Sequence, residues 1–125
     1  MFIPVGMSIT VVPSQIEAST SFELRCNVPL LASIVKIFKD GVEKGSCSTP
    51  IPGIANGLCV PSNLQQSIKT NDTVFTFNSA HPPSHNGLWK CQHVIQEAVK
   101  FITIYGNKNY LTILLNSCII NSYYN

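Results

Sequence analysis

Apolar and polar residues alternate with a period of two along most of this chain, and that period predicts its elements. Phe22, Leu24, Cys26 and Val28 are interleaved with Glu23, Arg25 and Asn27, so one side of the segment faces a core and the other faces water. The same alternation puts Trp89, Cys91, His93 and Ile95 on one face and Lys90 and Gln92 on the other. Shorter β-favouring runs lie between turn signals, and the pattern predicts strands over 8–12, 21–28, 34–39, 42–44, 66–69, 73–78, 88–95 and 98–105. Asp40-Gly41 reads as a tight hairpin turn, while Pro50, Pro52, Gly53, Asn56 and Gly57 make 46–62 a loop. No stretch sustains a helical period beyond one turn. The expected class is therefore all-β, with antiparallel sheets packed as a sandwich.

Length and charge narrow this further. The chain has 125 residues, enough for one domain over 7–106 followed by a tail over 107–125. Charged residues make up 11% and the net charge is +2, which excludes a disordered chain and a strongly basic nucleic-acid surface. After Gly106 the composition shifts to an apolar run, 110–120, interrupted by Asn116. It falls short of the roughly 20 apolar residues a spanning helix needs. The run reads as a frayed tail or as the truncated start of a stalk, and no membrane span is expected.

Five cysteines in so short a chain point to an oxidising compartment. Cys26 and Cys91 both carry inward parity, and a bond between them would close a loop of about 65 residues, stabilising by about 4 kcal/mol in the chain-entropy estimate. Met1-Phe2-Ile3-Pro4-Val5-Gly6-Met7 has neither the basic region nor the continuous apolar run of a secretory leader. An extracellular chain, secreted or part of an ectodomain, is therefore expected to be a fragment whose leader is not visible.

Four motifs then align in order. They are Leu24-Arg25-Cys26; Ile37-Phe38-Lys39-Asp40-Gly41, similar to Trp-x-Lys-Asp-Gly; Phe75-Thr76-Phe77-Asn78-Ser79-Ala80; and His85-Asn86-Gly87-Leu88-Trp89-Lys90-Cys91, similar to Asp-x-Gly-x-Tyr-x-Cys. Over about residues 8–105 the chain resembles a V-type or intermediate-type immunoglobulin superfamily domain, of the divergent kind seen in invertebrates. The resemblance implies an immunoglobulin-like antiparallel β-sandwich with an inter-sheet disulfide. It also implies a recognition or adhesion module of a larger cell-surface receptor or secreted immune-recognition protein, with a protein or glycan ligand on a cell or pathogen surface. The alternative is a complete small secreted structural or inhibitory protein. Ile37 stands where the family has its core tryptophan, and Trp89 where it has a tyrosine. Trp89 has no phenol, so the usual tyrosine corner is not expected, although its indole can fill the core and donate one hydrogen bond. Leu24, Ile37 and Trp89 are the core residues singled out.

The remaining candidates follow from local chemistry. Cys47 and Cys59 flank the proline- and glycine-rich segment of the 46–62 loop, which has too few apolar anchors to order itself, so a local disulfide is expected there. Cys118 is left over, either for a bond between chains or as part of an artefactual tail. His81, His85 and His93 do not read as a metal set: two prolines interrupt the helix that His81 and His85 would need, and loop histidines are expected. Cys91 beside His93 could suggest a nucleophile and base, but a disulfide uses the cysteine better. No enzymatic motif, cofactor or metal is expected. Asn71-Asp72-Thr73 is a glycosylation sequon in a turn expected to expose it. With Ile37 and Cys91 inward, alternation turns Lys36, Phe38, Lys90, Gln92 and Val94 outward as the possible partner face.

Overall fold

A computed structural model of the protein describes residues 6–106. The expected tail and Cys118 lie outside the described residues. In chain order the elements are β1 (Ser8–Val12), β2 (Ile16–Glu17), β3 (Phe22–Asn27), β4 (Val35–Lys39), β5 (Val42–Cys47), β6 (Cys59–Val60), β7 (Leu64–Ser67), β8 (Asp72–Phe77), α1 (Pro82–His85), β9 (Gly87–His93), β10 (Gln96–Ile102) and β11 (Ile104–Tyr105). One antiparallel sheet has the order β1-β3-β8-β7 and a second the order β10-β9-β4-β5-β6. A short parallel ladder joins β2 to β11.

The alternation read from the sequence packs these sheets face to face. Phe22, Leu24 and Cys26 of β3, Val35 and Ile37 of β4, and Trp89, Cys91 and His93 of β9 are all buried. Removing these apolar side chains from water is the main stabilising term for such a sandwich. Cys26 on β3 bonds Cys91 on β9, with Cα atoms 6.3 Å apart and 65 residues of separation, so the disulfide ties one sheet to the other. Aromatic mass fills the rest: Phe77 stacks on Phe22 and on Phe75 with centroids 4.8 Å apart in each case. Trp89 meets Phe75 and Phe77 edge-on at 6.1 and 5.6 Å.

Turn chemistry sets the hairpins. Lys39 pairs with Val42 across Asp40-Gly41, and both turn residues have positive φ, 51° and 84°. That is the two-residue turn whose twist matches the flanking strands, and glycine takes its second position without strain. Asp40 also bonds outside its hairpin: its Oδ1 accepts the Leu88 backbone N–H at 2.9 Å, while Lys39 Nζ lies 2.9 Å from Oδ2. The Leu88 N–H, then Lys39, hold the Asp40 carboxyl below its ordinary pKa. Gly87 is needed beside this contact, because its φ is 145° and a Cβ there would run into the Asp40 carboxylate.

Four expectations change. Ile95 does not join the inward face; it is 91% exposed, because Val94 and Ile95 form the two-residue turn between β9 and β10 and the period stops at His93. The strand expected over 98–105 starts earlier, at Gln96, and is broken at Thr103, after which the chain pairs with β2. The 46–62 loop contains the end of β5 and all of β6, with Cys47 directly opposite Cys59 in the register. Finally, the two prolines do not prevent a helical turn. They occupy its first two positions, where backbone N–H groups have no intrahelical partner anyway, and the four-residue turn of α1 ends where Asn86 turns extended.

Candidate functional site

The outward face of the five-stranded sheet is organised in cross-strand rows. Lys36 lies opposite Gln92, which lies opposite Glu97; Phe38 lies opposite Lys90, which lies opposite Val99; Leu88 lies opposite Phe101. The sheet thus brings together Lys36, Phe38, Lys90 and Gln92, four of the five residues expected on this face. Val94 is not among them in the ladder. It sits in the β9–β10 turn at φ 57°, beyond the last paired row, where its backbone carbonyl accepts the Gln92 side-chain amide at 3.5 Å and it shares with Lys36 the lining of a hollow of about 200 Å³ at the sheet's end.

The charges of this face are already paired sideways. Lys36 lies 3.7 Å from Glu43 and Lys90 lies 3.4 Å from Glu97. Lys90 also sits over the Phe38 ring, 4.9 Å from its centroid, in a cation–π arrangement. Exposed pairs of this kind contribute little, about 0–1 kcal/mol, and so oppose little when a partner displaces them. Beside them Leu88, Val99 and Phe101 form an exposed apolar corner, with Phe101 67% exposed. Sequence reasoning missed these three. The signal was present, since Leu88 shares parity with Lys90, but the outward set of β10 becomes visible only once its register with β9 is known.

The cysteines expected in the loop are bonded to each other, Cys47 to Cys59, with Cα atoms 4.0 Å apart. Cys91 is in a disulfide and offers no thiol. Only one of the three histidines is a loop residue. His81 stands at the N-cap position of α1 without a side-chain cap bond to the backbone, its Nδ1 lying 2.9 Å from Ser84 Oγ. His85 closes α1, its Nδ1 accepting the His81 N–H at 2.8 Å and its ring tilted on Phe77 at 4.7 Å. Burial, then the neighbouring His81 and Lys39, lowers its pKa from the ordinary histidine value. His93 is buried on β9, and its Nε2 accepts the backbone N–H groups of Ala32 and Ser33, each at 3.1 Å. Among the described residues no group of three or more His, Cys, Asp or Glu side chains is placed to hold a metal.

Asn71 is not the exposed acceptor expected of its sequon. Its side chain is partly buried and donates to the Pro29 carbonyl at 2.9 Å. Thr73 is fully buried, with its hydroxyl accepting from Gln66 at 3.0 Å. The turn that was to present the sequon instead folds it against the loop after β3.

No helix of the described residues is long and apolar enough to cross a membrane. Compared with known proteins, the chain matches no family model and no curated relative.

Proposed function

We propose that this chain is an extracellular recognition module of the immunoglobulin type, binding a protein partner through the outer face of its five-stranded sheet. The architecture supports the reading. The order β1-β3-β8-β7 corresponds to the family's A-B-E-D sheet, and β10-β9-β4-β5-β6 to a G-F-C sheet extended by C′ and C″ strands. The cross-sheet disulfide joins the strands that correspond to B and F. Two disulfides in a small domain suit an oxidising compartment such as the cell exterior.

The observation that carries the binding reading is the corner of Leu88, Val99 and Phe101 beside the Phe38–Lys90 pair. Exposed aromatic and aliphatic groups grouped on one sheet face and rimmed by charge are the composition of a protein–protein interface. A glycan partner fits less well, because the corner offers apolar area and few unengaged polar groups. A multimer of the domain should stain cells of its own source, and Phe38→Ala combined with Lys90→Glu should weaken binding at least tenfold, or about 1.4 kcal/mol, at unchanged thermal stability. Phe101→Asp should do the same. Undiminished staining would overturn the assignment of this face, and the absence of staining on every cell type and matrix would overturn the recognition role.

A further inference from the structure

At the end of the sandwich that carries the β3–β4, β5–β6 and β7–β8 connections lies a shallow cavity of about 540 Å³, open to solvent along one side. Its walls are apolar: Leu31 on one side, Ile51, Pro52 and Ile54 on the other, and Ile68 beneath. Lys69 is the one charged residue lining it, and no carboxylate does. Lys69 makes no ion pair among the described residues. The volume is within the range of about 300–1,000 Å³ common for small-molecule sites.

Both walls are held in place by side-chain and backbone bonds. On the first, His93 Nε2 accepts the Ala32 and Ser33 N–H groups, and the Asn71 amide binds the Pro29 carbonyl. On the second, the Cys47–Cys59 disulfide closes the neck of the loop, and the Ser48 N–H donates to the Leu58 carbonyl at 2.9 Å. The Ile68 N–H donates to the Ala55 carbonyl at 2.8 Å and the Gly57 N–H to the Gln66 carbonyl at 2.9 Å, fastening the loop to β7 and the turn after it. Yet this tethered loop leaves Ile51 and Ile54 about half exposed. A surface loop fixed in position with isoleucines turned to water has given up its ordering entropy in advance, which lowers the cost of binding an apolar ligand there.

We propose that this cavity binds an aliphatic carboxylate, its chain lying against Ile51, Ile54, Ile68 and Leu31 and its head paired with Lys69. The apolar walls select an aliphatic body, and the single cation at the rim, without an acidic neighbour in the lining, selects an anionic head. The site is separate from the sheet face and does not depend on the recognition reading.

Decanoate, below its micelle-forming concentration, tests this on the full chain with methyl-labelled isoleucine observed by NMR. Saturable shifts confined to Ile51, Ile54 and Ile68 are expected. Lys69→Glu should weaken binding at least tenfold and Lys69→Arg should retain it; because Lys69 is exposed, both variants should melt with the wild type. Decanol should bind at least fivefold more weakly than decanoate. Equal binding of decanol, or equal binding by the Lys69→Glu variant, would overturn the ionic contact. Absent or non-saturable shifts would overturn the site, and binding to phosphatidylserine vesicles without binding of decanoate would reassign the surface to membranes.

Discussion

The indole N–H of Trp89 donates to the backbone carbonyl of His85, four residues upstream, at 2.9 Å. Trp89 stands two residues before Cys91, where a tyrosine hydroxyl would make the equivalent tie in a tyrosine corner. The indole fills the core and donates the one hydrogen bond expected of it, and the structure identifies the acceptor. A larger ring with its donor on the edge reaches the same kind of acceptor, and the one turn of α1 presents that carbonyl to it. Trp89→Phe removes the donor and some volume and leaves the carbonyl unpaired. A loss of about 2 kcal/mol in denaturant unfolding is expected. A loss below about 0.5 kcal/mol would show that water replaces the indole there.

His85 gives the stability a pH dependence. Burial favours its neutral ring in the folded state, and Nδ1 must stay unprotonated to accept the His81 N–H. Below about pH 6.5 the unfolded chain takes up a proton that the folded chain resists. Stability therefore falls as pH drops from about 6.5 through the lowered folded pKa, and the fall ends below it. The unfolding midpoint of wild type, compared with that of His85→Phe across this window, should show the steeper decline in wild type. Parallel curves would remove His85 from the account.

The two disulfides should act on different scales. Replacing Cys47 and Cys59 by alanine opens a loop of 12 residues. About 3 kcal/mol should be lost, with Cys26–Cys91 still formed and the near-ultraviolet signal of Trp89 retained. Collapse of that signal would mean that the loop supports the core rather than resting on it.

Val94 occupies the left-handed region at φ 57°, an unfavourable place for a β-branched residue, in an exposed two-residue turn. Val94→Gly should raise stability by about 1 kcal/mol, because the relief of strain exceeds the entropy that glycine adds to the unfolded chain. A lower melting temperature would show that Val94 packs on its neighbours enough to offset its backbone.

Thr73 and Gln66 share a buried hydrogen bond, while Gln66 Oε1 has no partner among the described residues. Thr73→Val alone leaves the Gln66 amide unpaired as well and should cost about 1–3 kcal/mol, whereas Gln66→Met with Thr73→Val should be close to neutral. Calorimetric melting of the single and double variants distinguishes the two; a double variant as unstable as the single one would show that the pair is kept for packing.

Period-two alternation alone was enough to place Leu24, Cys26, Trp89 and Cys91 in a core, because a strand has only two faces and one of them must avoid water, whereas Ile37 was placed there by its position in the Ile37-Phe38-Lys39-Asp40-Gly41 motif. The residue pair Asp40-Gly41 identified itself as a turn, since few residue pairs tolerate two positive φ angles in succession. The alternation failed where the signal is shorter than its own period. The two-residue strands β2, β6 and β11 exist only through their partners, and Ile95 looked inward because nothing local marks Val94-Ile95 as a turn. Which side chains meet was decided by register. Phe101 lies opposite Leu88, Lys90 covers Phe38, and the Asn71 amide is spent on Pro29, because backbone pairing between distant segments sets these distances. The cavity beside Lys69 depends on tertiary structure most of all. Its walls come from three connections far apart in the chain, brought to one end of the sandwich by the antiparallel order of the strands between them.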